Sequence, residues 1–415
     1  MNTISRTTSP ASRAGRARPY RRGRDGEQVM SKLGVGIVGC GNISTIYMQN
    51  MPKFRDLNLV ACADLRPEAA QAQAEKFGIE ALTIDALLAR SDIQIVVNLT
   101  TPESHFAISH AALAANKHVF GEKPITIEAN DAATLVAEAA DRGLKIGCAP
   151  DTFLGGGGRT ARELVDAGRI GKVLYGTCFL MSHGMEHWHP DPTFFFKRGG
   201  GPILDMGPYY LAALINLLGP VALVQGRASA GFATRLVTSK GPMNGKIIAV
   251  ETPTTVMSLL HFESGADIIF AMSWDVWKHA HPPIELYGTE GSLRVPDPNF
   301  FGGAVQYTEK GGDWISVAAD DRPFGKPNWR SPNWADHMPN QANYRCLGVA
   351  ELASAVLRCT PHRSSGALAS HALEVKHAIL KASVEGGEIA VRSRVERPAP
   401  LSELDAMVLW AGETF

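Results

Sequence analysis

Apolar and polar residues follow two different rhythms along the chain, and the change comes near residue 150. Before it, short continuous apolar runs at 33–38, 57–63, 93–99, 118–120 and 145–148 read as buried strands. Between them lie stretches with apolar residues three and four apart, at 43–54, 67–77, 85–91, 103–115 and 128–142, which read as helices. Pro67 stands at a first helical turn, where its missing N–H has no partner to lose. Strand alternating with helix predicts a parallel, doubly wound α/β sheet. After Pro150 come a glycine run, Gly155 to Gly158, a helix over 159–167, an alternating strand over 172–182 and a helix over 202–218. Alternating strands follow at 222–228, 254–262, 266–274, 284–288 and 292–295, separated by Gly, Pro and Asn turns. This half predicts an α+β domain with a mainly antiparallel sheet. Residues 297–345, rich in Gly, Pro, Asp and Trp, read as loop, and 347–358 and 370–385 as helices. The implied division is an arm over 1–30, an α/β domain over 31–150, an α+β domain over 151–390 and a closing segment over 391–415.

The first strand runs straight into Gly39-Cys40-Gly41-Asn42-Ile43-Ser44, then a helix, then a second strand that ends at Asp64. A dinucleotide-binding Rossmann unit has this order of strand, glycine turn, helix, strand and acid. Gly39 allows the tight turn, and Gly41, without a Cβ, lets backbone approach a pyrophosphate. The helix N-terminus at Asn42 and Ile43 offers free N–H groups to that anion. Ser44 stands where a third glycine is usual. Asp64 is placed to accept from a ribose hydroxyl and would repel a 2′-phosphate, which favours NAD over NADP. Arg66, two residues on, could answer such a phosphate and keeps NADP open. In sheets of this kind ligands lie at the carboxyl ends of the strands. Gly39, Asp64, Thr100, Thr101, Pro102, Glu122 and Lys123 all lie there.

Charge and composition narrow the setting. Basic and acidic residues both number 41, so no overall field draws the chain to nucleic acid. The first 29 residues hold seven arginines against Asp25 and Glu27, which leaves the remainder mildly acidic. This arm has no apolar periodicity and reads as unordered, with Met30 the expected start of the folded chain. Its Arg21-Arg22 pair lacks the apolar stretch of an export signal, although its Arg- and Ser-rich composition is also that of a transit peptide. No run is long enough to span a membrane. Six cysteines show neither metal nor disulfide spacing and read as buried thiols of a reducing, cytoplasmic compartment.

Four motifs occur in order: Gly39-x-Gly41, Thr101-Pro102 followed by His105, Glu122-Lys123-Pro124, and Asp205-x-Gly207-x-Tyr209. Together, over about residues 33–390, they resemble the Gfo/Idh/MocA oxidoreductases. The resemblance implies NAD(P)-dependent hydride transfer at a sugar or polyol carbon, and an open-faced sheet domain that carries substrate residues and forms a homodimer or homotetramer. Lys123 matches that family's catalytic lysine and Asp205 its motif aspartate. Tyr209 stands where many members have histidine, and tyrosine-bearing members exist. From the residues themselves, oxidising an alcohol requires an acceptor for the hydroxyl proton. A tyrosine beside a lysine cation can serve. The expected roles are Tyr209 as acid/base, Lys123 as its electrostatic partner and Asp205 as orienter, with Asp205 and Tyr209 four residues apart on one helical face. Tyr210 is the adjacent rival, about 100° away on a helix.

The stretch His183-Gly-Met-Glu186-His187-Trp188-His189 is the most unusual. Its spacing matches no metal motif, and hydride transfer needs no metal, so none is expected. His187, Trp188 and His189 could hold a polyhydroxylated substrate through imidazoles and an aromatic face. Asp151 is a further candidate contact. His105 falls among the cofactor residues by position but reads as structural. Candidate substrates are aldoses, inositols and branched pentoses such as apiose. Two other functions share this sequence: a non-enzymatic NAD(P)-binding sensor, and an enzyme that retains NAD and recycles it by transient oxidation.

Overall fold

The computed structural model describes residues 20–22, 28–30, 32–331 and 339–412. Most of the arm lies outside them. Within it Tyr20–Arg22 pairs antiparallel with Gln28–Met30, a ribbon that the reading of an unordered arm did not include.

The first sheet has six strands, all parallel. Across it lie Glu80–Leu82, Leu57–Ala63, Leu33–Val38, Ile95–Asn98, His118–Gly121 and Ile146–Cys148. Strand order reverses between Leu33–Val38 and Ile95–Asn98, and the crevice outside that switch point is where a doubly wound sheet takes its ligand. Every residue of Leu33–Val38 and Ile95–Asn98 is buried, as strands covered on both faces must be. The short edge strand Glu80–Leu82 escapes the sequence reading because its three residues carry no pattern.

The second sheet has nine strands and is antiparallel except where Val173–Met181 runs parallel to Asp267–Ser273. One face packs on helices Gly207–Leu218 and Gly366–Glu385. The other is open and carries Leu174, Tyr175, Met257, Leu259 and Ile269 exposed. Three expectations are corrected. Residues 297–345 contain two strands, Val305–Glu309 and Ile315–Val317, which extend the sheet edge despite a composition suited to turns. The glycine run does not precede its helix but opens it, since the helix spans Gly156–Asp166. A Cβ on Gly155 would lie 2.3 Å from the Phe301 carbonyl oxygen, so the run serves close packing. The helix read over 202–218 breaks into Pro202–Asp205 and Gly207–Leu218.

The largest apolar cluster joins Leu33, Val35 and Ile37 of the first sheet to Phe262 and Phe270 of the second and to Leu214 of helix Gly207–Leu218. Five cysteines are buried and free, and Cys359 is exposed. Among the described residues no helix is long and apolar enough to cross a membrane.

Candidate active site

The glycine turn has the form its sequence predicts. Gly39 has φ +101°, and a Cβ there would lie 2.5 Å from the Leu99 carbonyl carbon. It is fixed both by conformation and by the neighbouring strand. A Cβ on Gly41 would meet nothing within 4 Å, so the backbone there borders open space. Ser44 is fully buried and its hydroxyl donates to the Gly41 carbonyl, closing the turn in place of a third glycine. Asp64 accepts from the Cys40 N–H at 2.7 Å and the Arg66 N–H at 2.9 Å. Its carboxylate thereby ties the second strand to the turn, and Arg66, largely exposed, lies 3.7 Å from it. An open cradle at Gly41 with a fixed carboxylate beside it fits the adenosine half of a dinucleotide.

Thr100 donates its hydroxyl to Asn98 Oδ1 at 2.7 Å. Thr101 and Pro102 begin the helix Pro102–Ala114. His105 is buried, with one ring nitrogen against the Pro124 carbonyl and the other against the Thr100 carbonyl. Its ring braces the cis Lys123-Pro124 turn against the preceding loop and is taken up by backbone. Glu122 has the same character. One oxygen accepts from the buried Tyr47 hydroxyl at 2.8 Å and the other from the Lys123 N–H.

Lys123 leaves the end of His118–Gly121 and crosses to the helix break. Its Nζ donates to Asp205 Oδ1 at 2.8 Å and to the Asp205 carbonyl at 2.9 Å. That carbonyl is free because of the break. Pro208 has no N–H, and the Tyr209 N–H bonds Met206 instead of Asp205. Burial alone would push the Lys123 ammonium toward neutrality. The Asp205 carboxylate, Tyr209 and the bond to Asp205 outweigh it and hold its pKa above the ordinary lysine value. The same Nζ lies 5.5 Å from the Tyr209 ring centroid.

Arg345 approaches the tyrosine from the other side, its Nη2 3.4 Å from the hydroxyl oxygen. Its remaining bonds are to the neutral side chains of Asn343 and Asn299. Lys123, Asp205 and Tyr209 therefore meet, and Arg345 joins them without a sequence signal, from a stretch read as loop. Tyr210 points elsewhere, to Asp297 at 3.2 Å, where burial and that carboxylate push its pKa up.

Asp151 is buried and accepts from Gly348 N–H at 2.8 Å, near the start of helix Leu347–Arg358. Burial raises its pKa to about 6. It supports the Arg345 segment from beneath. His187, Trp188 and His189 have surroundings of their own among the described residues. His189 packs edge-on against Phe194 and Phe195, and His183 stacks on Trp277. His187 lines a cavity of about 620 Å³ with Phe232 and Trp277. No described contact joins the three to Lys123. A cavity of about 790 Å³ lies beside helix Leu347–Arg358, but its four arginines, Arg358, Arg363, Arg394 and Arg397, are each paired with carboxylates, and it holds none of the convergent groups above.

Residues 33–149 match the family model for an oxidoreductase family with an NAD-binding Rossmann fold. Residues 159–294 match the model for the GFO/IDH/MocA C-terminal domain. A dTDP-3,4-didehydro-2,6-dideoxy-alpha-D-glucose 3-reductase of Streptomyces violaceoruber is 32% identical over 276 residues, covering 65% of this chain and 74% of that protein. An inositol 2-dehydrogenase of Rhizobium meliloti is 26% identical over 258 residues, 62% of this chain and 74% of its own. In fold, a levoglucosan dehydrogenase solved with NADH and levoglucosan superposes with a TM-score of 0.71 at 19% identity, over 87% of this chain and all of that one.

Proposed function

We propose that this chain, which belongs to the GFO/IDH/MocA oxidoreductase family, moves hydride between a sugar or polyol carbon and nicotinamide, with NAD preferred to NADP. The observation that carries the reading is the meeting of Lys123, Asp205 and Tyr209 outside the carboxyl end of His118–Gly121. The relatives named as acting on a deoxysugar nucleotide, an inositol and levoglucosan support a polyhydroxylated substrate. So does a site of charged and hydroxyl groups, which can bind several hydroxyls at once.

Gly39, Gly41, Asn42, Ile43 and Asp64 would hold the dinucleotide, with Thr100, Thr101, Pro102 and Glu122 bordering its nicotinamide half. When bound, that half accepts or supplies the hydride. The chain's residues manage the proton. Tyr209 takes it from the substrate hydroxyl in oxidation and returns it in reduction. Arg345 places positive charge at the tyrosine oxygen and Lys123 over its ring, so negative charge developing on that oxygen, or on a substrate oxygen beside it, is stabilised in a largely water-excluded place. Asp205 fixes the lysine through two bonds and leaves its third donor for the substrate. Residues 31–150 act as the nucleotide domain and 151–390 as the substrate domain, whose open sheet face pairs subunits.

The test is NADH formation by the full chain over a panel of aldoses, inositols and other polyols, with NADP in parallel. Turnover with NAD on one of them, reduced at least 100-fold in Lys123→Met while NAD still binds by calorimetry, is the expected result. Full activity in Lys123→Met would overturn the mechanism. NAD binding without turnover on any substrate would turn the reading toward a sensor or a retained cofactor.

A further inference from the structure

Lys376 stands on the closing helix Gly366–Glu385 and is 1% exposed, among the largest fully buried side chains of the molecule. The other buried lysine, Lys117, and the partly buried Lys123 are both bonded. Lys117 donates to the carbonyls of Arg90 and Ile93, and Lys123 to Asp205. The Lys376 amine has no hydrogen bond or ion pair among the described residues. Its stem runs over the helix break: a Cβ on Gly207 would lie 3.3 Å from Lys376 Cδ. The side chain shares with Lys123, Pro124 and Pro208 a cavity of about 10 Å³, which is roughly one water in size. The sequence reading passed over Lys376, because a lysine in an otherwise apolar helix carries no motif.

The charged and titratable groups facing it are few. They are Lys123 from the end of His118–Gly121, Asp205 from the broken helix and Cys148 from the last parallel strand. His377 is the next residue on its own helix, with Glu128 beyond it. Two amines thus face one carboxylate, and Lys123 holds both the side chain and the carbonyl of that residue. A second ammonium here would be buried and unmatched, which is costly. Burial first, and then the positive charge of Lys123, push the Lys376 pKa down to about 7, while Cys148 and Asp205 act the other way.

We propose that Lys376 is a positioning residue of the hydride-transfer site: with its amine unprotonated it leaves Asp205 to Lys123, and once protonated it competes for that carboxylate and loosens Lys123 from Tyr209. This rests on the function proposed above. It makes the Lys123–Asp205 pair responsive to proton concentration through a residue that touches neither substrate nor cofactor.

The experiment compares the full-length chain with Lys376→Met and Lys376→Arg. In the wild type kcat should fall about tenfold per pH unit below the Lys376 midpoint, with KM little changed. Lys376→Met should lose that acidic limb, and Lys376→Arg should stay at the low plateau up to pH 9. A limb unchanged in Lys376→Met would overturn the proposal. A readout free of activity is urea unfolding across pH. The folded amine has the lower pKa, so its burial penalty is complete below about pH 7 and is relieved as pH rises toward the unfolded lysine value. The margin by which Lys376→Met is more stable than wild type should therefore shrink about tenfold in unfolding equilibrium constant per unit between roughly pH 7.5 and 9.5. In a Lys123→Met background, where Asp205 is free to pair with Lys376, that window should move upward. A margin independent of pH would also overturn the proposal. The expected unfolding profiles without turnover on any substrate would leave the charge competition standing and reject the function on which its catalytic role rests.

Discussion

Replacing Asp151 by Asn should stabilise the protein at neutral pH. The carboxylate is buried and accepts a single described hydrogen bond, from the Gly348 N–H. Burial raises its pKa from 3.8 to about 6, against the opposing pull of that bond and of Arg345. An acid with a raised pKa penalises folding above that value, because the folded state must ionise a group it would rather keep protonated. At pH 7–8 the difference between 3.8 and about 6 corresponds to ~3 kcal/mol. As pH falls through 6 toward 3.8 the penalty disappears, since both states are then protonated. An asparagine oxygen can still accept from Gly348, so the amide imitates the protonated acid. The expected gain is on the order of 3 kcal/mol at pH 8. With unfolding entropy near 2.1 cal/mol/K per residue, this is about 3–4 °C in Tm for a chain of 415 residues. The assay is thermal and urea unfolding of both proteins from pH 4 to 8. A loss of stability that is equal at every pH would refute the reasoning. It would mean that the carboxylate contributes mainly by capping the helix and by its attraction to Arg345.

Three further outcomes follow from the geometry. Tyr209→Phe should lower kcat about 10²–10⁴-fold with NAD affinity unchanged, whereas Tyr210→Phe should leave kcat within a few-fold and cost roughly 1 kcal/mol in unfolding, because among the described residues its hydroxyl bonds Asp297 alone; equal effects of the two in steady-state kinetics would reject the assignment. Asp64→Ser should improve the NADP to NAD ratio of kcat/KM by on the order of 1000-fold, since a carboxylate about 4 Å from a phosphate costs ~4 kcal/mol per charge pair at an effective dielectric near 20; an unchanged ratio would show that Asp64 serves only the turn. Leu259→Lys with Ile269→Lys, both on the open sheet face, should convert a dimer or tetramer to monomer in light scattering, and a wild-type monomer at micromolar concentration would remove that face as an interface.

The parts of this molecule that were legible in the sequence are those set by local physics. Gly39 is required by a left-handed turn and Asp64 by the strand that ends there. Lys123 and Asp205 were marked by motifs of fixed spacing. What the sequence hid depends on chain segments far apart meeting in space. Arg345 gains its meaning only when 297–345, read as loop, folds against Tyr209. Tyr47 matters because Glu122, 75 positions away, accepts its hydroxyl. The break at Met206 was within reach, since Pro208 cannot donate to the turn before it, but an apolar period continuing to Leu218 masked it. The three-residue strands at 80–82 and 315–317 are too short for any period to show.

The distribution of carboxylates explains why the site has the sign it has. Glu122, Asp151 and Asp205 all lie near Lys123 and Arg345, and a simple count would suggest near neutrality. Two of the three are occupied elsewhere. Glu122 is spent on the Tyr47 hydroxyl and the Lys123 N–H, and Asp151 on the Gly348 N–H, so each holds a backbone segment in place. Only Asp205 pairs directly with a cation. Arg345 is bonded among the described residues to asparagines and Tyr209, none of them a carboxylate, and burial does not discharge it. Its charge is therefore uncompensated at contact range and directed at the tyrosine oxygen. A site meant to hold an alcohol through the loss of its proton requires this arrangement, with donors fixed in advance where negative charge will develop. The same arrangement accounts for the cost of adding another proton nearby. Asp205, the one carboxylate of the site that faces Lys376, is already held by Lys123.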